Sequence, residues 1–161
     1  MRSDTVMKNL GTGPKPIGLA RPLFPKVGVV AFVPEEWGGT WLSRHQVLTR
    51  LAKYFHVVWA EPARSWRELV LGGGKPVNHS HRSETFPEGF SLYQPERWLP
   101  QFDRPAWLAS WTAAERGRRA AELLRQRGCK TVIFYLWRPY FDRVLESGSY
   151  DLSCYHIVDE Y

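Results

Sequence analysis

Four clusters of polar and aromatic side chains have the residue types that chemistry at a strand end needs. They are Glu35-Glu36-Trp37-Gly38-Gly39, Glu61-Pro62, Trp137-Arg138-Pro139 and Asp159-Glu160-Tyr161. Glu35 or Glu36 can act as a general base, or can simply favour the dipole of the helix that follows. Asp159 and Glu160 carry the same two readings, a catalytic carboxylate or the polar end of a strand. Gly38-Gly39 before a helix can turn backbone N–H groups toward a phosphate or a sugar hydroxyl, or can form a plain tight turn. No Gly-x-Gly-x-x-Gly, Walker A or Gly-x-Ser-x-Gly pattern accompanies them, so no dinucleotide fingerprint, NTPase loop or nucleophile elbow is present.

The elements that must position these clusters follow from the hydrophobic pattern. Val27–Val33 is an uncharged run rich in β-branched residues, which suits a strand buried on both faces. Thr40–Tyr54 is a periodic helix, with Thr40 as its cap. His56–Ala60 is a second strand, so Val27 to Pro62 forms a strand–helix–strand unit of about 35 residues, enough for a right-handed parallel crossover. Trp66–Leu71 reads as a short helix or extended segment stopped by Gly72-Gly73-Gly74, and Phe90–Tyr93 as a short strand. Ala106–Arg127 is the longest helix, with Gly117 a weak spot and Gly128 a C-terminal stop. Thr131–Trp137 is a buried strand, Tyr140–Glu146 a short helix opened by Pro139, and Leu152–Val158 the last strand. This alternation predicts an α/β, Rossmann-like, open and mostly parallel sheet with helices on both faces. In such sheets ligands bind outside the carboxyl ends of the strands, where the four clusters fall.

Composition narrows the class further. The chain has 161 residues, 43% of them apolar and 24% charged, which fits one domain with a sizeable core. Residues 1–26, with Gly11, Gly13, Pro14, Pro16, Pro22 and Pro25, read as a flexible leader before a domain at 27–161. The net charge of +6 is concentrated around Arg21 and Lys26 and along Arg116 to Lys130. That balance favours anionic partners, or else a solvated helix face, and no nucleic-acid-binding motif goes with it. Cys129 and Cys154 are far apart and read as reduced, buried thiols. His79-x-His81 has no third ligand, so no metal site is expected. His45 reads as a surface or substrate-facing residue, His56 as structural and His156 as a core histidine inside the last strand. With no apolar run of membrane-spanning length, the expectation is a cytoplasmic protein able to touch the inner face of the membrane peripherally.

Several segments together resemble one family. They are VVAFVPEEWGGTWLSRHQVLTRLAKYFHVVWAEP, SLYQPERWLP, TVIFYLWRPYFDRVL and YDLSCYHIVDEY. In order and spacing they resemble the N-terminal half of bacterial GT-B glycosyltransferases, particularly the teichuronic acid biosynthesis type within family 4. Arg44 and Gln46 match the family's Arg-Pro-Gln-His helix element, while its Pro and His are missing here. Tyr155, Val158, Asp159, Glu160 and Tyr161 match its last strand, with His156 in place of an Asp.

The resemblance implies the acceptor-side domain of an enzyme that passes a sugar from a nucleotide-sugar to a cell-envelope polysaccharide or glycolipid. It implies no cofactor or metal beyond the nucleotide-sugar co-substrate. Glu36 and Asp159 are then the candidate catalytic carboxylates. Trp37, Gly38, Gly39, Arg44, Arg138 and Glu160 are the candidate substrate contacts. The chain stops directly after a strand, so it is expected to be a part, with the donor-binding domain outside it. Two other readings compete. One is a stand-alone, flavodoxin-like module that binds a phosphorylated ligand without chemistry, and the other is a basic nucleic-acid-binding protein.

Overall fold

A computed structural model describes residues 21–38, 40–71 and 86–157. Five strands form one sheet: β1 (Val27–Phe32), β2 (His56–Ala60), β3 (Phe90–Tyr93), β4 (Thr131–Leu136) and β5 (Leu152–Tyr155). Their order is β3-β2-β1-β4-β5 and every pairing is parallel. This is an α/β, Rossmann-like open sheet. The uncharged β1 lies at its centre, as its composition requires, with Val30 opposite Val58 on one side and Phe134 on the other. The chain runs outward from β1 through β2 to β3, then returns across β1 to β4. The topological switch point therefore lies between β1 and β4.

The period-2 alternation of the strands builds a core on each face. Val30 and Phe32 of β1 pack with Val58, Ala60, Val132, Phe134 and Leu136 beneath helix α3 (Ala106–Gln126). Val29 and Ala31 point the other way, toward Leu48 and Ala52 at helix α1 (Ser43–Leu51) and toward Trp59 and Trp137. Helices thus cover both faces. The buried stripe of α3 is Ala109, Thr112, Ala113, Gly117, Ala120, Ala121 and Leu124, at helical spacing. The helix ends as expected at Gly128, in left-handed backbone with φ +86°. Its N–H donates to the Arg125 carbonyl and that of Cys129 to the Leu124 carbonyl, the paired bonds of a Schellman stop.

Several boundaries differ from those expected. Helix α1 begins at Ser43 rather than Thr40, and Leu42 occupies its cap position. Leucine offers no side-chain acceptor to the first-turn amides, while His45 Nδ1 reaches back and accepts the Leu42 backbone N–H at 3.1 Å. The segment Pro139–Ser147 is a 3-10 helix rather than an α-helix, and closes at Gly148 with φ +58°. β5 ends at Tyr155, so His156 follows the strand instead of lying in it. Helix α2 spans Trp66–Leu71 and β3 spans Phe90–Tyr93, both with the expected limits. The last residues of the expected leader attach to the turn between α1 and β2. The Leu23 and Phe24 amides donate to the carbonyls of Lys53 and Tyr54, and Phe24 stacks on Phe55.

The basic run on α3 is not one charged face. Arg118 and Arg119 pair with Glu115, Arg119 also with Glu96, and Arg116 turns inward to the carbonyls of Leu99 and Pro100. The thiols also separate: Cys129 is buried, whereas Cys154 on the edge strand β5 is exposed, and both are free. Among the described residues no helix is long and apolar enough to cross a membrane.

Candidate functional site at the carboxyl edge of the sheet

The chain leaves β1 and β4 side by side at the switch point, and three side chains meet there. Arg44, in the first turn of α1, places Nη2 2.6 Å from Glu35 Oε1. Its guanidinium carbon sits 5.7 Å from the ring centroid of Trp137, which follows β4. Glu35 Oε2, Arg44 Nε and Trp137 Nε1 are buried and have no hydrogen-bond partner among the described residues. All three atoms are sealed from solvent, so they form a buried polar cluster that joins α1 to the ends of β1 and β4. His156 closes the far side. Its ring stacks on Trp137 at 4.0 Å, and its Nδ1 lies 2.7 Å from the Tyr135 hydroxyl.

Trp37 lies behind this crevice rather than in it. Only 6% of it is exposed, and Trp59, Phe90, Phe86, Trp41 and His45 enclose its ring. Its backbone N–H donates to Glu61 Oε1 at 3.0 Å, which joins the turn after β1 to the end of β2. His45 is fully buried, not at the surface. Because Nδ1 accepts the Leu42 N–H, Nε2 carries the proton and faces the Trp37 carbonyl at 3.3 Å. Burial lowers its pKa below 6.5, so the ring is neutral and structural. Trp37 and His45 therefore set the shape of the turn that presents Glu35 and Glu36.

Beyond the turn, a hollow of about 530 Å³ opens at the ends of β2 and β3. Glu36, Glu61 and Glu96 line it, with Arg64 and Arg97 among the facing cations. Glu61 is held by the Trp37 amide, and Glu96 by the Tyr93 hydroxyl at 3.0 Å and Arg119 at 2.9 Å. Burial and the neighbouring Glu96 push the Tyr93 phenol well up, so it stays a neutral donor. Glu36 is exposed and forms no hydrogen bond or ion pair among the described residues. Such an array suits a hydroxyl-rich ligand: fixed carboxylates accept hydrogen bonds from it, and a free one can take a proton.

The expected site residues divide accordingly. Glu36 lines the hollow, Arg44 lies in the switch-point crevice, and Gly38 is an exposed part of the turn between them. Arg138 is exposed at the cap of the 3-10 segment. Gly39, Asp159 and Glu160 lie outside the described residues, as do His79 and His81. Glu96 was not anticipated, although Tyr93-x-Pro95-Glu96 has the strand-end form of Ala60-Glu61-Pro62. Among the described residues no three His, Cys, Asp or Glu side chains gather as a metal-ligand set. No family model, curated protein or solved structure matches the chain.

Proposed function

We propose that this domain is the acceptor-side half of a glycosyltransferase, which holds a cell-envelope glycan or glycolipid at the carboxyl edge of its sheet. The observation that carries the reading is the hollow at the ends of β2 and β3, where Glu36, Glu61 and Glu96 converge. Sugar hydroxyls are donors that pair well with ordered carboxylates. Glu61 and Glu96 are ordered by their own partners, and Glu36 is left available. Transfer forms a bond from an acceptor oxygen to the anomeric carbon of the donor sugar. It breaks the bond from that carbon to the nucleoside diphosphate, which leaves with the electron pair. The acceptor proton passes to a base, and Glu36 is the described carboxylate free to receive it.

The test is saturation-transfer NMR on the full 161-residue chain, with teichuronic-type oligosaccharides and a panel of uridine diphosphate sugars. The expected result is transfer to the oligosaccharide at millimolar concentration, reduced several-fold in Glu36→Gln and Glu61→Gln. Turnover of the nucleotide-sugar should be undetectable, because one wall of a cleft cannot exclude water from the donor. Rapid turnover by this chain alone overturns the reading, as does an absence of contact with any glycan.

A further inference from the structure

A second cavity, which shares Glu61 with the first, lies under the N-terminal half of α3 and has a volume of about 370 Å³. Its floor is formed by Phe32, Ala60 and Tyr93, the last residues of β1, β2 and β3. Ala109 and Ala113 of α3 form one wall, and their small side chains leave the space that larger residues would fill. The 3-10 segment closes the other wall with Phe141 and Val144.

Three charged residues line this chamber: Arg116, Arg143 and Glu61. Glu61 Oε1 is engaged by the Trp37 amide. Arg116 is anchored through Nη1 alone, which donates to the carbonyls of Leu99 and Pro100, each at 3.1 Å. A guanidinium has five N–H donors, so its Nε and Nη2 keep three after that anchoring. These two nitrogens have no hydrogen-bond partner among the described residues and are not sealed from solvent, and Arg116 is one of the residues that line the cavity. Neither Arg116 nor Arg143 forms an ion pair among the described residues. A largely buried cation is normally matched by an opposite charge, because carbonyls satisfy its donors without neutralising it. Burial disfavours the charged form of Arg116, and a bound anion would offset that cost.

We infer that this cavity is a binding site for a small ligand with one oxyanion group, a phosphate or a carboxylate, on a ring-sized apolar body. The oxyanion takes the open fork of Arg116 with Arg143 opposite it, a planar arrangement suited to two-point recognition. The body lies on Phe32 and Tyr93 against the alanine wall. The volume is within the range of small-molecule sites, roughly 300–1,000 Å³. The inference goes beyond glycosyl transfer and does not depend on it, since none of the rim residues assigned to the acceptor except Glu61 takes part.

Phenyl phosphate and benzoate serve as probes, with benzyl alcohol as the uncharged comparator. Binding is followed on the full chain by calorimetry at low salt and by the arginine Nε–H NMR resonances. The expected result is that at least one anion binds at least tenfold more tightly than benzyl alcohol and shifts the Arg116 resonance. The ratio of phenyl phosphate to benzoate affinity tells phosphate from carboxylate. Arg116→Gln should lose at least tenfold in affinity, Arg116→Lys less, and Arg118→Gln nothing, because Arg118 is outside the cavity and pairs with Glu115. Since Arg116 also ties Leu99 and Pro100 to α3, its loss can unfold the chain. Ala113→Leu keeps that anchor, fills the chamber and should abolish binding. Equal affinity for all three probes, no binding, or full binding by Ala113→Leu overturns the inference.

Discussion

His45 and Trp37 hold each other in place across the first turn of α1: His45 Nε2 faces the Trp37 carbonyl at 3.3 Å, and their ring centroids are 5.0 Å apart. The same imidazole receives the Leu42 N–H on Nδ1, so both of its nitrogens serve the backbone. The ring that reads as surface or substrate-facing in the sequence instead fixes the loop carrying Glu35 and Glu36.

This makes stability depend on pH. Burial lowers the pKa of His45 below 6.5, and burial does the same for His56. A histidine depressed in the folded state binds protons more readily when unfolded, so stability is fully present above about pH 6.5 and falls as pH drops below it. The urea midpoint should therefore decline between about pH 7 and pH 5. His45→Leu should flatten that slope and leave the part owed to His56. At pH 7.5 it should also cost about 1–3 kcal/mol, since the Leu42 amide and Trp37 carbonyl lose their partner. An unchanged slope in His45→Leu would show that the ring is not held neutral.

Arg44 joins α1 to the ends of β1 and β4, through Glu35 at 2.6 Å and the face of Trp137. The Arg44 side chain is only 12% exposed, which sets the pair apart from a solvent-screened surface bridge. Arg44→Met should destabilise the domain by roughly 1–3 kcal/mol, because Glu35 is left with two unpartnered oxygens. A double-mutant cycle with Glu35→Gln should give a coupling of about 1 kcal/mol or more. A coupling near zero would mean that the two side chains act independently.

Much of the fold was legible because the strands carry their position in their composition. Val27–Phe32 has no charge and lies at the centre, and the limits of β2, α2 and β3 agree with the pattern in the sequence. The rim of strand-end acids was legible for the same reason, since chain order places such residues at one edge of a parallel sheet. Burial of single side chains was not. Trp37 read as a substrate contact at a strand end and His45 as surface or substrate-facing, whereas the surrounding aromatic rings bury both. Arg116 was hidden in a basic run, although it lies three residues after Ala113 and seven after Ala109, at helical spacing beside the buried stripe. Charge count concealed what helical spacing could have revealed.

The two thiols give a direct check on the burial of the α3 stop and the exposure of the edge strand β5. Cys154 is exposed on β5, whereas Cys129 is buried and its thiol pKa is raised by that burial. A thiol-specific disulfide reagent should label one cysteine rapidly in the native chain and the second only after denaturation. Cys154→Ser should remove the rapid phase. Rapid labelling of both would place Cys129 at the surface and contradict the packing of the α3 stop.

Gly117 tests whether a glycine inside a helix is a weakness or a contact. In isolation, Gly→Ala at a helix interior gains about 1 kcal/mol. Here a Cβ would meet the Val144 carbonyl oxygen at 3.0 Å and Ser147 Oγ at 3.2 Å. The carbonyl belongs to the backbone of the 3-10 segment and cannot rotate away, so α3 or that segment must shift. Overpacking of this kind costs roughly 1–3 kcal/mol, enough to cancel or reverse the helical gain. Gly117→Ala should therefore be neutral to destabilising, by up to about 2 kcal/mol, and Gly117→Val more severe. Ser147→Ala should not rescue it, because the closest atom is the Val144 oxygen. If Gly117→Ala instead raises the urea midpoint, the 3-10 segment does not press on α3 there, and the wall that segment contributes to the Arg116 cavity is looser than described.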